Sequence, residues 1–286
     1  MDVKEEGIQI RVPATANLMI DSQDRNPLFA PATPANFLIT KSESLLNGFF
    51  NRIATSEVVL EWTYPNISLD LSSNAFAFNV GGTDYVATVP TGLYTVRSLL
   101  YELIGAMNVV APGVPAPGFT ESNPYPGGAF VTAPVAWSVN ACKLATWLNI
   151  PVGPAIAGPG AGEFSVFIST PDLRPFRYLD FVSEQLTYNQ RLKDDSTNSV
   201  SRSALCRWYF AWDNQENLDE YGFPILMGYQ PFTLRRIFNP PKQIKWDPRM
   251  PVGQVSFQVY ADTQPFPVGP NQSEWDWLMT CQVSEN

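Results

Sequence analysis

Apolar side chains alternate with polar ones along six separate stretches of this 286-residue chain. The apolar members of these stretches are Ile8, Ile10 and Val12; Val58, Leu60 and Trp62; Phe164, Val166 and Ile168; Cys206, Trp208, Phe210 and Trp212; Val255, Phe257 and Val259; and Trp275, Trp277, Met279, Cys281 and Val283. Because successive side chains of a β-strand point to opposite faces, this period of two predicts strands with one buried face. Several such strands predict an all-β protein with minor α content, built as a sandwich or a barrel.

A β-hairpin followed by a helix is the clearest local pattern. Alternating residues lead into and out of Gly81-Gly82, and a Gly-Gly pair readily adopts the positive φ angles of a tight hairpin turn. Apolar residues then recur at helical spacing, namely Leu93, Val96, Leu99, Leu100, Leu103, Ile104 and Met107. We therefore expect a hairpin followed by an amphipathic helix, with Thr91 or Thr95 as the helix cap.

Two segments rich in proline and glycine, 111–128 and 151–162, are predicted to be rigid, solvent-facing loops around a strand at 129–139. A second short helix is expected from Asn140 to Asn149, with Pro151 ending it. These interruptions suggest a smaller β/α unit inserted into a sheet body. The predicted division is residues 1–69 and 163–286 for the body and residues 70–162 for the inserted unit.

The chain contains no histidine, and this absence excludes most catalytic and metal-binding designs. Histidine is the commonest general base and metal ligand, and Ser-His-Asp and Cys-His arrangements both require it. The three cysteines, Cys142, Cys206 and Cys281, are too far apart in sequence for CxxC zinc ligands. Their odd number and wide spacing indicate reduced thiols. We therefore expect a protein that is not an enzyme and that carries no cofactor or metal.

The charge balance bears on the partners of the chain. A net charge of −9 argues against a dedicated nucleic-acid binder, which would show a basic surface. Charged residues make up only 16% of the chain, against about 25% in an average protein, and a weakly charged surface is often buried against neighbours. The alternative is a compact β protein with uncharged loops. No apolar run is long enough for a membrane-spanning helix, and the charged amino terminus does not resemble a secretory signal.

Neighbouring carboxylates could support glycoside hydrolysis without histidine. The candidate pairs are Asp194 with Asp195, Asp219 with Glu220, and Glu274 with Asp276. Each lies beside turn residues or on the polar side of a predicted strand, so a solvated surface is the favoured interpretation. The segment Asp21-Ser22-Gln23-Asp24 offers oxygen ligands for calcium. The Arg25-Asn26-Pro27 that follows favours a turn capped by its own side chains.

Two groups of residues are candidates for an interface. The one basic cluster, with only Asp247 among its members, is Arg235, Arg236, Lys242, Lys245 and Arg249. It is either a solvated, salt-bridged loop or an electrostatic contact with an acidic neighbouring subunit or enclosed nucleic acid. The second group is the apolar part of an aromatic loop, Tyr221, Phe223, Ile225 and Leu226. Exposed apolar loop residues of this kind need a partner to cover them.

Several tryptophans could also anchor an interface, because this residue is enriched at binding hot spots. The candidates are Trp208, Trp212, Trp246, Trp275 and Trp277. A position in the core is favoured for each of them, because alternating aromatic residues usually fill the interior of a β-sandwich.

Taken in order along the chain, several short stretches resemble the penton, or minor capsid, proteins of virophages and of Polinton (Maverick) elements. These stretches are Ile20 to Asn26, Ala54 to Ile67 (ATSEVVLEWTYPNI), Val89 to Thr95, Lys143 to Ile150, Lys245 to Pro248, and Val252 to Tyr260 (VGQVSFQVY). Each motif is short and none is chemically diagnostic, so the resemblance depends on their ordered coverage of most of the chain. The loops 111–128 and 151–162 have no counterpart in it.

The resemblance implies a single jelly-roll β-sandwich that stands roughly upright in a capsid and carries an inserted β-hairpin and helix unit. It implies homopentamers that close the five-fold vertices of an icosahedral virion, beside double-jelly-roll major capsid proteins. It also implies assembly in the host cytoplasm or a viral factory, and it brings no catalytic residues. Two alternatives remain open, a carbohydrate- or receptor-binding jelly-roll module and a β-sandwich hydrolase that uses carboxylates alone.

Overall fold

Several of the strands are formed by the alternating residues that predicted them. The structure, a computed structural model, describes residues 15–30, 32–40, 50, 52–69, 71–115, 118–125, 128–157, 162–169, 171–187, 204–210, 232–245, 253–262, 264–267 and 275–284. The amino-terminal elements are β1 (Thr15–Asp21), a 3₁₀ turn (Ser22–Asp24), β2 (Asn36–Thr40) and β3 (Arg52–Trp62). The middle of the chain forms β4 (Ala75–Val80), β5 (Thr83–Thr88), α1 (Val96–Val110), β6 (Thr120–Tyr125), β7 (Gly128–Ala133), β8 (Trp137–Val139), α2 (Lys143–Trp147), β9 (Gly153–Pro154), β10 (Ile156–Ala157) and β11 (Phe164–Ser169). The carboxy-terminal elements are β12 (Tyr178–Val182), α3 (Glu184–Thr187), β13 (Ala204–Tyr209), β14 (Phe232–Ile237), β15 (Gln243–Lys245), β16 (Gln254–Ala261), β17 (Gln264–Pro265) and β18 (Asp276–Ser284).

Two antiparallel sheets form a jelly-roll body. The first sheet has the order β1-β18-β3-β14, with β15 also paired to β3. The second sheet has the order β13-β12-β16, with β2 and β17 paired to β16. If the eight main body strands are counted along the chain, the first sheet holds the first, eighth, third and sixth, and the second holds the second, seventh, fourth and fifth. This exchange of strands between sheets is the double Greek key of a jelly roll, so the predicted fold class is confirmed.

Trp277 on β18 lies at the centre of the body core. Its ring is packed among Phe37, Phe181 and Phe257, with centroid distances of 5.4, 5.0 and 5.6 Å. Its indole N–H donates a 2.8 Å hydrogen bond to the carbonyl oxygen of Pro34. The alternating apolar residues of β3, β13, β16 and β18 are also buried here, which confirms those strand predictions. The stretch at residues 8–12 and Trp212 lie outside the described residues.

The chain between β3 and β12 forms two further four-stranded sheets, β10-β11-β7-β6 and β5-β4-β8-β9. Gly81 and Gly82 turn the β4–β5 hairpin with φ angles of 58° and 86°, as the Gly-Gly pair predicts. Thr95 is the observed cap of α1, because its side chain accepts a hydrogen bond from the Ser98 N–H. The second predicted helix is shorter than expected. It ends with Asn149 at a positive φ of 54°, and the Ile150 N–H returns to the Ala145 carbonyl in a Schellman arrangement.

The middle part of the chain has its own buried core, which is linked to the body at several points. Trp147 packs against both cores, and Lys143 Nζ donates to the Leu71 carbonyl at 2.5 Å. The Asp172 N–H donates to the Trp147 carbonyl at 2.8 Å. Packing and hydrogen-bond contacts therefore cross between the two parts, and the boundaries at residues 70 and 162 stay a prediction.

Two of the three cysteines lie in the core between the body sheets. Cys206 on β13 and Cys281 on β18 are buried, and Thr55 Oγ1 lies 3.8 Å from the Cys281 sulfur. Burial raises the pKa of Cys281 to about 11 and also raises the pKa of Cys206. Both thiols are therefore held in the neutral, unreactive form, in agreement with the expectation of free cysteines.

This burial predicts a loss of stability in alkaline solution. Between pH 9 and pH 11 the unfolded chain releases the Cys281 proton while the folded chain retains it, so the free energy of unfolding falls as the pH rises. A shift of this size contributes about 3 kcal/mol over the whole interval. Urea unfolding at pH 8 and pH 10.5 should show a smaller fall in Cys281→Ala than in the wild-type chain. Cys142→Ala, altered at a half-buried thiol, is the control, and equal pH slopes in Cys281→Ala and wild type would contradict the prediction.

Candidate assembly interface

The jelly-roll body has two narrow sides where its sheets end. On one side β14 and β15 form the edge of the first sheet and β13 forms the edge of the second. Lys242, between β14 and β15, lies within electrostatic range of Cys206 on β13. We call this the basic side. On the opposite side β1 edges the first sheet and β2 the second, and Leu18 and Ile39 line one small cavity there. We call this the acidic side, and it includes the connection at residues 22–30.

Strand β14 carries part of the predicted basic cluster on the basic side. Arg235 and Arg236 are exposed, and so is Lys242 in the connection that follows. Arg235 Nε donates to Glu57 on the neighbouring strand, and this carboxylate raises the pKa of Arg235. Ile237, also on β14, is 60% exposed. The structure therefore places an apolar side chain beside the cations, at a sheet edge that is unpaired within the described residues.

A second cationic group on the basic side was not singled out from the sequence. Arg207 on β13 forms a bidentate ion pair with Asp180 on β12, with Nε–Oδ1 and Nη2–Oδ2 distances of 2.6 and 2.8 Å. The guanidinium lies 4.0 Å from the centre of the Tyr178 ring and 5.9 Å from that of Tyr209. The pKa of Arg207 is raised, chiefly by the hydrogen bonds to Asp180.

Asp180 is buried although it points to the outer face of the second sheet, with a side-chain exposure of 2% against 43% for Arg207. Tyr209 beside them is 54% exposed. The period of two along the sequence places Tyr178 and Asp180 on one face of β12. It likewise places Arg207 and Tyr209 on one face of β13. Only the pairing of Asp180 with Arg207 shows that the four side chains meet.

The predicted interface residues have different outcomes. Arg235, Arg236 and Lys242 lie along the same edge. Lys245 belongs to β15, but its side chain is outside the described part. Tyr221, Phe223, Ile225, Leu226 and Arg249 lie outside the described residues, so their role stays a prediction.

The tryptophan and carboxylate candidates are either buried in the core, part of the Asp276 network, or outside the described residues. The three described tryptophan candidates, Trp208, Trp275 and Trp277, are buried in the core. Trp246 lies outside the described residues, as do Asp194, Asp195, Asp219, Glu220 and Glu274.

The acidic side contains the Asp21–Asp24 segment, which forms a 3₁₀ turn. The Asp21 carboxylate accepts a 2.8 Å hydrogen bond from the Gln23 N–H, which confirms the predicted local capping. Ser22 Oγ and Arg25 Nη1 both donate to Asp276 Oδ1, at 2.8 and 3.0 Å. Asp276 is therefore part of a structural network that ties this turn to β18.

Exposed apolar side chains lie on both narrow sides. On the acidic side Met19 is 65% exposed and Leu28 is 92% exposed. On the basic side the corresponding residues are Tyr209 and Ile237. Among the described strands of the body, large apolar side chains with this degree of exposure occur on these two sides only.

Neither a metal centre nor a membrane helix is found in the described ranges. Groups of three or more His, Cys, Asp or Glu side chains that could hold a metal ion are absent from these ranges. The described helices are also too short or too polar to cross a membrane.

No protein family matches the sequence, and no curated protein does. Among solved structures, the crystal structure of the selenomethionine-labelled penton protein of mavirus is similar to this chain. The likeness has a TM-score of 0.50 at 11% sequence identity, and it covers 96% of this chain and 99% of the mavirus chain. At this identity the comparison concerns the fold. This chain has the fold of the mavirus penton protein, which confirms at the level of fold the resemblance to virophage penton proteins.

Proposed function

We propose that this chain is a structural capsid protein, a penton subunit that forms homopentamers and closes the five-fold vertices of an icosahedral virion. The observation that carries the proposal is the fold likeness to the mavirus penton protein over almost the full length of both chains. The chemistry of the sequence agrees with a role that is not enzymatic, since histidine is absent throughout. The proposed location of the protein is the capsid vertex of the virion, after assembly in the host cytoplasm or a viral factory.

The two narrow sides of the body suit a ring of identical subunits. A ring requires a heterologous contact, in which two different patches of the same chain meet. The basic side offers Arg207, Tyr209 and Arg235, and tyrosine and arginine are frequent hot-spot residues. The proposed partners are four further copies of this chain and the double-jelly-roll major capsid protein that surrounds a vertex.

Native mass spectrometry of the purified chain, alone and mixed with the major capsid protein, tests this function. We expect a species of five chain masses, or incorporation of the chain into closed shells at their vertices. Low ionic strength should favour the ring, because charged contacts are less screened there. A chain that stays monomeric at all salt concentrations and never enters shells would contradict the proposal.

A carbohydrate- or receptor-binding module is the second candidate function. It is favoured by one observation, the exposed Tyr209 ring beside Arg207 and Tyr178 on the outer face of the second sheet. Aromatic and charged side chains of this kind can contact a sugar or a receptor. Binding of the isolated chain to a glycan array, lost in Tyr209→Ala, would support this function. If the chain is a vertex subunit that binds no glycan, neither the wild type nor Tyr209→Ala should bind to the array.

A further inference from the structure

Resting on the proposed function as a ring-forming subunit, we infer that the acidic side of one copy docks against the basic side of the next copy. The occupant of each side is thus a second copy of this chain. In this contact Asp21 faces Arg235 across the interface and Met19 faces Ile237. The inference concerns which surfaces meet, and it adds a residue-level arrangement to the proposed pentamer.

Cross-strand pairing places the two residues of each proposed pair at the same height, meaning the same level along the strand direction. Asp21 and Arg235 are the two ends of one row across the first sheet, and Met19 and Ile237 are the ends of the next row. The first row runs through Asp21, Leu278, Val59 and Arg235, and the second through Met19, Thr280, Glu57 and Ile237. A rotation about an axis along the strands keeps the height of each row. It would therefore bring Asp21 of one copy to the level of Arg235 in the next.

The strand directions fit such a contact. Each neighbouring pair in the order β1-β18-β3-β14 is antiparallel, so β1 and β14 run in opposite directions. After a rotation about the strand axis, β1 of one copy would lie antiparallel to β14 of the next. Within the described part of the chain both strands are edges with one side unpaired. An exposed sheet edge of this kind offers unpaired backbone N–H and C=O groups, to which a strand of another chain can bind.

Charge distinguishes this head-to-tail arrangement from a symmetric dimer. The basic side carries Arg207, Arg235, Arg236 and Lys242. Arg207 is paired with Asp180 and Arg235 with Glu57, so the four cations outnumber these two carboxylates by two. Against these cations the acidic side presents Asp21 and Asp24, while its Arg25 is paired with Asp276. Two basic sides would repel each other, whereas a basic and an acidic side attract. Because the attractive contact joins different patches, it propagates from copy to copy and can close into a ring.

Apolar exposure supplies the second argument for a contact between copies. Met19 at 65% and Leu28 at 92% exposed would be covered by the side that carries Ile237 at 60% and Tyr209 at 54% exposed. Burial of apolar side chains is the main source of stability in most protein association. The rim charges then select the partner and its orientation.

Charge reversal tests the pairing of Asp21 with Arg235. We expect Asp21→Arg and Arg235→Glu each to weaken ring formation about tenfold or more, because an attraction becomes a repulsion. The double variant should recover most of the wild-type ring, measured by native mass spectrometry over a concentration series. Glu102→Arg, an equivalent reversal on the exposed face of α1, is the control and should leave the ring unchanged. Single reversals without effect, or a double variant weaker than both singles, would overturn the inference.

Disulfide trapping tests the second pair and counts the subunits. Met19→Cys and Ile237→Cys are combined in a Cys142→Ser background and oxidised mildly. A denaturing, non-reducing gel should then show a ladder of disulfide-linked species of two to five chains and none larger. A bond within one chain is excluded, because three strand spacings of about 4.8 Å separate the two residues by roughly 14 Å. Met19→Cys combined with Gln254→Cys, an exposed position on the second sheet, should give no ladder.

The two proposals fail in different ways. If the wild-type chain forms pentamers but the ladder and the charge rescue are both absent, this contact is wrong and the vertex function stands. If the wild-type chain never forms a ring and never enters shells, the vertex function is wrong.

Discussion

Truncation of Trp277 to alanine is expected to lower the free energy of unfolding by about 4–5 kcal/mol, which is near the upper end for a core aromatic residue. The side chain is 2% exposed, and its ring, on the first sheet, contacts Phe37, Phe181 and Phe257 of the second sheet. Alanine would therefore leave a cavity where the two sheets meet. It would also leave the buried Pro34 carbonyl without its 2.8 Å hydrogen bond.

Trp62 provides a matched comparison for the hydrogen-bond contribution. It is also fully buried among aromatic rings, but its indole nitrogen has no hydrogen-bond partner among the residues that the structure describes. Trp277→Phe and Trp62→Phe remove a similar volume, yet only the former breaks a hydrogen bond. We expect Trp277→Phe to cost about 1–3 kcal/mol more than Trp62→Phe. Urea unfolding followed by far-ultraviolet circular dichroism measures both, and equal costs would show that the Pro34 bond contributes nothing.

The body strands were predictable because each buries one face. On β18 the residues Trp275, Trp277, Met279, Cys281 and Val283 alternate without a break, and all are buried. Tertiary packing and local pattern agree at such positions, so the period of two is enough to assign the strand. The hairpin at Gly81-Gly82 was predictable for the same reason, since its turn depends on local backbone freedom alone.

Strands in the proline-rich segments were missed, because their proline content favours loops. Pro124 belongs to β6 and Pro154 to β9, and each of these strands is the outermost of its sheet. A proline lacks an N–H and is tolerated in an edge strand, where that group need not bond to a neighbour. Whether a strand is an edge depends on the order of strands in the sheet, which local sequence does not state.

The candidate interface was predictable only in part. Arg235 and Arg236 were identified because they stand out against an acidic chain. The Arg207–Asp180 pair was missed because its members are separated by 27 positions, and each is ordinary in its own strand. The meeting of charges across strands depends on register, which the alternation of apolar residues leaves open by steps of two.

Removal of Arg207 is the second change with a large expected effect. The Asp180 carboxylate is 2% exposed. Arg207→Ala removes its two hydrogen bonds and the guanidinium charge that balances it. Breaking a buried ion pair by removing one partner costs about 3–5 kcal/mol. Because Arg207 is itself 43% exposed and water can reach the site, we expect a smaller loss of about 2–3 kcal/mol.

Asp180→Ala is expected to cost less, about 1 kcal/mol, because it leaves a guanidinium that water can solvate and that still stacks on Tyr178. The double variant should then be more stable than Arg207→Ala alone, since no buried charge remains unpaired. Arg207→Lys retains the charge but loses the bidentate geometry and should fall between the wild type and Arg207→Ala. Equilibrium unfolding of the wild type, the two alanine variants and the double variant forms a double-mutant cycle. If Asp180→Ala cost as much as Arg207→Ala, the loss would come from the ion pair itself, and the unpaired buried carboxylate would not be its cause.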